Sequence, residues 1–189
     1  FNSTWFKADT ANLSVFDDSE KLAFSAKNLR ANIDLSDREG MFFSNGLGSY
    51  VNFPASEYIC YIDQLKWEMD KEQLTFGNKD VLSKSRSQFI STNKNQDSLT
   101  FYAKSADYSL RDYVINASGV DSIAIADAII YPDSAKLIVS RNAEIQTLKN
   151  SKILLDTLVR YHEFDNATVD IFGKNNYEAS GNYIYTDAL

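Results

Sequence analysis

Apolar and polar side chains alternate along most of this chain with a period of two. Residues 97–110 (DSLTFYAKSADYSL), 114–130 (VINASGVDSIAIADAII), 135–145 (AKLIVSRNAEI) and 167–172 (ATVDIF) carry the pattern most clearly. They are rich in Val, Ile, Tyr and Phe, the composition of strands with one buried face. Asn45-Gly46, Ser118-Gly119, Pro132-Asp133 and Ser180-Gly181 punctuate the runs with residues that adopt turn geometry at low cost. The spacing predicts strands of about five to eight residues. One stretch, 143–163, spaces Ile145, Leu148, Ile153, Leu154, Leu155, Leu158 and Val159 in a way that fits either a short helix or two strands broken at Lys149-Asn150. The fold class that follows is all-β, a β-solenoid or jelly-roll-like stack of short strands with little or no helix.

A longer-range pattern lies over the alternation. Phe6-x-Ala8-x-x-Ala11-x-Leu13 is followed by Phe24-x-Ala26-x-x-Leu29-x-Ala31, Cys60-x-Ile62-x-x-Leu65-x-Trp67 and Phe101-x-Ala103-x-x-Ala106-x-Tyr108. Each octet breaks alternation at the same place, which predicts a bend or bulge there. Such units are what stacked rungs or duplicated sandwich halves leave behind. Residues 78–98 are polar and have few core residues beyond Val81, Leu82, Phe89 and Ile90. They read as a connection or frayed edge strand between a β half at 1–77 and another at 99–189, within one continuous β unit. Phe1 and Leu189 stand close to strand-like runs, so the chain reads as an excerpt of a larger protein whose export signal lies elsewhere.

Composition narrows the functional classes. With 44% hydrophobic and 13% aromatic residues in 189, the chain is too apolar to be disordered. A formal net charge of -7 disfavours nucleic acid, which selects basic surfaces. No apolar run approaches the roughly 20 residues of a membrane-spanning helix.

The single cysteine, Cys60, sits in Ile59-Cys60-Tyr61-Ile62 and reads as a buried structural thiol. The single histidine, His162, has no nucleophile-elbow motif to serve, and reads as a surface residue at a strand end. Asn45-Gly46-Leu47-Gly48-Ser49 lacks the lysine and following helix of a phosphate loop. Asp34-Leu35-Ser36-Asp37-Arg38-Glu39-Gly40 resembles a calcium loop, but Arg38 stands where an oxygen ligand is needed. It reads as a solvated turn, as does Asp17-Asp18-Ser19-Glu20. No catalytic, metal-binding or cofactor-binding residue is assigned.

Aromatic residues are the one excess. Trp5, Phe6, Trp67, Tyr102, Tyr108, Tyr113, Tyr161, Tyr177, Tyr183 and Tyr185 mostly occupy positions compatible with packing inward. Trp67 and Tyr183 are the candidates for stacking against a ligand such as a sugar.

Two resemblances add to this reading. Phe101-Tyr102-Ala103-Lys104-Ser105-Ala106-Asp107-Tyr108-Ser109-Leu110, followed by Val114-Ile115-Asn116-Ala117-Ser118-Gly119-Val120, is similar to the repeat of the OstA/LptA-like β-jellyroll family. That resemblance implies an open β-solenoid whose apolar groove carries lipopolysaccharide across the periplasm. More broadly, Ile125-Ala126-Asp127-Ala128-x-Ile130-x-Pro132, Phe164-x-Asn166-Ala167-Thr168-Val169 and Tyr177-x-Ala179-Ser180-Gly181-x-Tyr183-x-Tyr185 resemble segments of very large envelope proteins of Bacteroidetes. That likeness implies no activity.

Exported proteins of that group carry O-glycans at Asp-Ser/Thr followed by a methyl-bearing residue. The chain resembles that signal at Thr10, Ser98, Ser122, Ser134 and Thr157, although Asp-Ser and Asp-Thr also open turns before strands. Asn2, Asn12, Asn116 and Asn166 stand in Asn-x-Ser/Thr sequons, which matter only for a eukaryotic source.

The sequence therefore leads to a non-catalytic structural or interaction segment of a large exported cell-envelope protein, placed in the periplasm, the outer membrane or at the cell surface. Its expected partners are neighbouring β segments of the same parent. A lipid or lipopolysaccharide conduit and a carbohydrate-binding β-sandwich are the alternatives.

Overall fold

The computed structural model describes residues 4–77, 86–155 and 162–185. Among them the architecture is all-β and jelly-roll-like, with short 3-10 turns and no α-helix. It grows from one hairpin, β1 (Trp5–Phe16) and β2 (Leu22–Asp34). The far side of β2 is shared by two strands. Its first half, Ser25–Lys27, pairs with β4 (Tyr50–Phe53), and its second half, Leu29–Asp34, pairs with β3 (Glu39–Ser44). The changeover falls at Asn28, whose φ of 54° places it in the left-handed region that Asn tolerates better than most residues. At this fork the sheet divides into two wings.

The first wing continues from β3 through β6 (Gln64–Glu68), β7 (Gln73–Gly77), β10 (Ser105–Ser109) and β11 (Val114–Ser118) to β14 (Lys136–Val139). The second runs from β4 through β5 (Tyr58–Tyr61) and β8 (Ser87–Ser91) to β9 (Thr100–Ala103). A second sheet follows: β12 (Ile123–Ile125), β13 (Ala128–Tyr131), β15 (Leu148–Leu155), β16 (His162–Gly173) and β17 (Asn176–Tyr185). Here β12 lies alongside β9 without a ladder between them. Up to β13, successive hairpins are thus laid down alternately, one on each wing.

The two wings face each other across an aromatic core. Phe53 on β4 contacts Phe76 on β7 at 5.4 Å and Tyr108 on β10 at 4.4 Å between ring centroids. Phe76 in turn meets Phe89 on β8 at 6.4 Å, edge to face. Phe24, Phe42, Tyr58 and Phe101 are buried with them, so large rings fill the space between the wings. The alternation read from the sequence has this cause: along the wing strands between β2 and β14, every second residue enters the shared interior.

Of the two architectures expected, facing jelly-roll-like sheets describe this chain. Strand lengths depart from expectation at both ends, where β1, β2, β16 and β17 run to 10–13 residues. Bulges absorb the bending: the register shifts in β1–β2 around Ala11 and in β16–β17 between Asp165 and Thr168. The octets fall at corners. In those beginning at Phe24, Cys60 and Phe101, the break marks the passage from the second wing to the first.

Within the stretch expected to connect the halves, residues 87–91 instead form β8, an interior strand between β5 and β9 that buries Phe89. Over 148–155 there is neither helix nor break but one strand, kinked at Asn150 with φ 52°. Ser180-Gly181 is no turn; it lies inside β17 opposite the bulge. A Cβ on Gly181 would stand 2.9 Å from Ala167, so the close approach requires glycine there.

Candidate functional site

A concavity opens at one end of the first wing. Three turns line up there: the β2–β3 turn ending at Arg38, the short 3-10 turn Met69–Lys71, and the β10–β11 turn at 110–113. Backbone hydrogen bonds join them in a row, from Met69 N–H to the Arg38 carbonyl at 3.0 Å and from Leu110 N–H to the Glu72 carbonyl at 2.8 Å. The opposite wall is the tip of the β1–β2 hairpin, residues 16–19. The cleft between them measures about 570 Å³.

The hairpin tip is held in place by Asp17. One carboxylate oxygen accepts the backbone N–H groups of Ser19 and Lys21, each at 2.9 Å, which closes the turn. The other oxygen accepts the hydroxyl of Tyr113 from the opposite wall. This hydrogen bond, together with the turn amides, holds the Asp17 carboxyl below its ordinary value and pushes the Tyr113 phenol up. Arg141 lies over the Tyr113 ring at 4.2 Å, a cation–π contact that fixes the ring from behind.

Trp67 forms part of the apolar floor with Phe16, Met69 and Leu110. Its ring meets Phe24 edge-on at 5.8 Å and its indole nitrogen is buried, so the surface offered to the cleft is carbon. Charged groups stand at the rim. Arg111 donates through Nε to Glu72 at 3.2 Å, with its side chain 76% exposed, and Arg38 pairs with Asp70. Sequence reasoning offered Trp67 as a stacking residue, named Tyr113 only as a packing aromatic, and read Arg38 and Asp17-Asp18-Ser19 as parts of solvated turns. Its companions come from turns distant in the chain, and Arg38, Glu72 and Arg111 carry no spacing signal of their own.

Tyr183 is elsewhere, on β17 in the second sheet, and no contact links it to Trp67. It joins a different cluster, stacked on His162 at 5.9 Å and tilted against Phe164 at 5.3 Å. His162 Nδ1 lies 2.6 Å from the Tyr183 hydroxyl. The expectation that the aromatics mostly pack inward holds for Tyr108 and Tyr113. It fails for Trp5, Phe6, Tyr102, Tyr183 and Tyr185, which are exposed. These five lie on outward positions or on terminal strands with no further ladder among the described residues. Tyr161 lies outside the described residues.

Thr10, Ser98, Ser122 and Ser134 are all exposed, and Thr157 lies outside the described residues. The residues after Ser98 and Ser122, Leu99 and Ile123, are buried. At Ser98 and Ser122 the tripeptide thus marks the point where a turn enters a strand, whereas Thr10 lies within β1. Asp34 closes its turn by accepting the N–H groups of Ser36 and Asp37, the work of a turn residue. Cys60 is fully buried, and burial pushes its thiol well above the ordinary value. No group of three or more metal-ligating side chains occurs among the described residues.

Comparison with family models, with curated proteins and with solved structures finds no match for this chain.

Proposed function

We propose that this chain is a non-catalytic structural and interaction segment of a large exported cell-envelope protein, joined to neighbouring β segments of the same parent through its terminal strands. The observation that carries the reading is β17. This ten-residue strand pairs with β16 alone among the described residues, and nine of its residues are exposed on both faces. Its exposed residues include Tyr183, Ile184 and Tyr185. Edge strands are normally protected by lysines, prolines or bulges. The opposite terminal strand, β1, carries Lys7 and Asp9, and both terminal ladders contain register shifts. In contrast, β17 has one acidic residue, Glu178, and neither lysine nor proline. A long, lightly protected edge is the form taken by a strand that receives another strand.

The alternating hairpins favour a unit repeated by duplication, in keeping with the resemblance to OstA/LptA-like repeats. The aromatic filling of the interior weighs against a lipid conduit, which needs a continuous apolar groove. Exposure of Thr10, Ser98, Ser122 and Ser134 suits O-glycosylation of an exported protein, and intact-mass analysis of the native protein tests it.

Photo-crosslinking in the producing cell tests the scaffold reading, with benzoylphenylalanine placed at Tyr183 or Tyr185. Crosslinks to peptides of the same polypeptide outside residues 1–189 support it. Crosslinks to lipid alone, or none, overturn it.

A further inference from the structure

We propose that the cleft between the β1–β2 hairpin tip and the three aligned turns binds a short neutral oligosaccharide. This inference is independent of the scaffold reading, which rests on β17 at another part of the molecule. Four features of the cleft carry it.

The first is size: about 570 Å³ falls in the range of roughly 300–1,000 Å³ typical of small-molecule sites. The second is amphipathic division. The floor presents the carbon surface of Trp67 with Phe16 and Leu110, while the rim carries Asp18, Glu72 and Arg111. A pyranose has the same division, with a face of C–H groups that lies on an aromatic ring and a girdle of hydroxyls that both donate and accept. Carboxylates accept from such hydroxyls, and a guanidinium donates to them in a planar fork. Arg111 engages Glu72 through Nε, which leaves its two terminal nitrogens as further donors at the rim.

The third feature is charge balance. Arg38 and Arg111 stand with Asp17, Asp18 and Glu72 around one opening, so an ionic ligand of either sign meets a like charge. A neutral, hydroxyl-rich ligand meets none. A lipid chain fits poorly, because the floor is short and the rim is charged. A peptide strand also fits poorly, because the walls are turns whose backbone groups bond to one another.

The fourth is preorganisation. The turns are stitched together by their backbones and the opposite wall is fixed by Asp17 and Tyr113, so little ordering is needed on binding.

Fluorescence provides the test. The chain has two tryptophans, so Trp5→Phe leaves Trp67 as the sole indole reporter. The probes are maltotriose, cellotriose, mannotriose and triacetylchitotriose, each titrated to about 10 mM, where weak sugar sites saturate. A saturable change in Trp67 emission with at least one of them is the expected result. Arg111→Ala and Asp18→Ala, both at the rim, then weaken binding about tenfold each, the worth of one charge-assisted hydrogen bond. Trp67→Ala abolishes binding by calorimetry; should that variant unfold, the two rim variants decide the matter alone. The proposal is overturned if none of the four probes binds, if both rim variants bind as well as the parent, or if only acidic sugars such as trigalacturonate bind.

Discussion

The rings of Phe53 on β4 and Tyr108 on β10 lie 4.4 Å apart, tilted by 48°, and their contact joins the two wings at the centre of the molecule. Both residues are completely buried. No ladder runs directly between β4 and β10, so what holds the wings together here is ring against ring. Phe53→Ala would leave a cavity facing both Phe76 and Tyr108. The expected cost is about 3–5 kcal/mol, the usual penalty for emptying a core aromatic site. Tyr102→Ala, on the outer face of the same wing, is expected to change stability by less than about 1 kcal/mol. Urea unfolding of the two variants measures the contrast.

The Asp17–Tyr113 hydrogen bond gives the cleft a defined pH window. The Asp17 carboxyl is held below its ordinary value of 3.8, so its contribution is present above that value and is lost as the pH falls through the lowered one. The Tyr113 phenol is raised above its ordinary value of 10.0, so its contribution is present below that value and is lost as the pH rises through the raised one. Intrinsic-rate-corrected hydrogen exchange of residues 17–21 is therefore expected to be slow and flat between about pH 4 and 10, and to quicken only below the lowered carboxyl value and above the raised phenol value. Tyr113→Phe is expected to speed exchange at the hairpin tip throughout that window. Unchanged exchange in this variant would show that the turn closes without the tyrosine.

Cys60 supplies a probe of the interior. It is fully buried, between Val51 and Phe89 in the ladders on either side of β5. Burial keeps it in the thiol form. Native protein at pH 8 is expected to resist a thiol reagent such as dithionitrobenzoate, while the protein in urea releases one equivalent. Rapid labelling under native conditions would mean that β5 opens readily.

Ala126, in the β12–β13 turn, sits at φ 50° and is exposed. An L-residue there is strained by about 1–2 kcal/mol, and glycine removes the strain while loosening the unfolded chain by about 0.4–1 kcal/mol. Ala126→Gly is therefore expected to raise stability by up to about 1 kcal/mol, visible as an increase in Tm.

Period-two patterning made the strands legible, because each wing buries one face and solvates the other. The octets held more than was read from them. The break between Ala26 and Leu29, or between Ala103 and Ala106, lies where the chain crosses between wings. What stayed illegible were turns made by unexpected residues. Ala126, Ala135, Ala143 and Glu72 all adopt positive φ without the glycine that would announce it. For the same reason β8 was obscured: Phe89 is its only fully buried large residue, and the polar sequence around it resembles a linker. The cleft was illegible because it is assembled from hairpin ends separated by up to 96 residues, as in the Asp17–Tyr113 pair. Of its lining, only Trp67 was read from the sequence as a ligand-stacking residue.

The order of pairing bears on how such a chain is made. Every ladder joins strands no more than three apart in sequence order, as in β3–β6, β5–β8, β7–β10 and β11–β14. Each hairpin added to the first sheet therefore finds its docking edge already built, while β12–β13 opens a second sheet that β15 extends. A polypeptide made from its N-terminus meets that condition as it emerges, folding two strands at a time against a finished template. The same bookkeeping lets whole hairpins be gained or lost over evolution without disturbing those laid down before them, so the molecule is extensible from its leading fork outward.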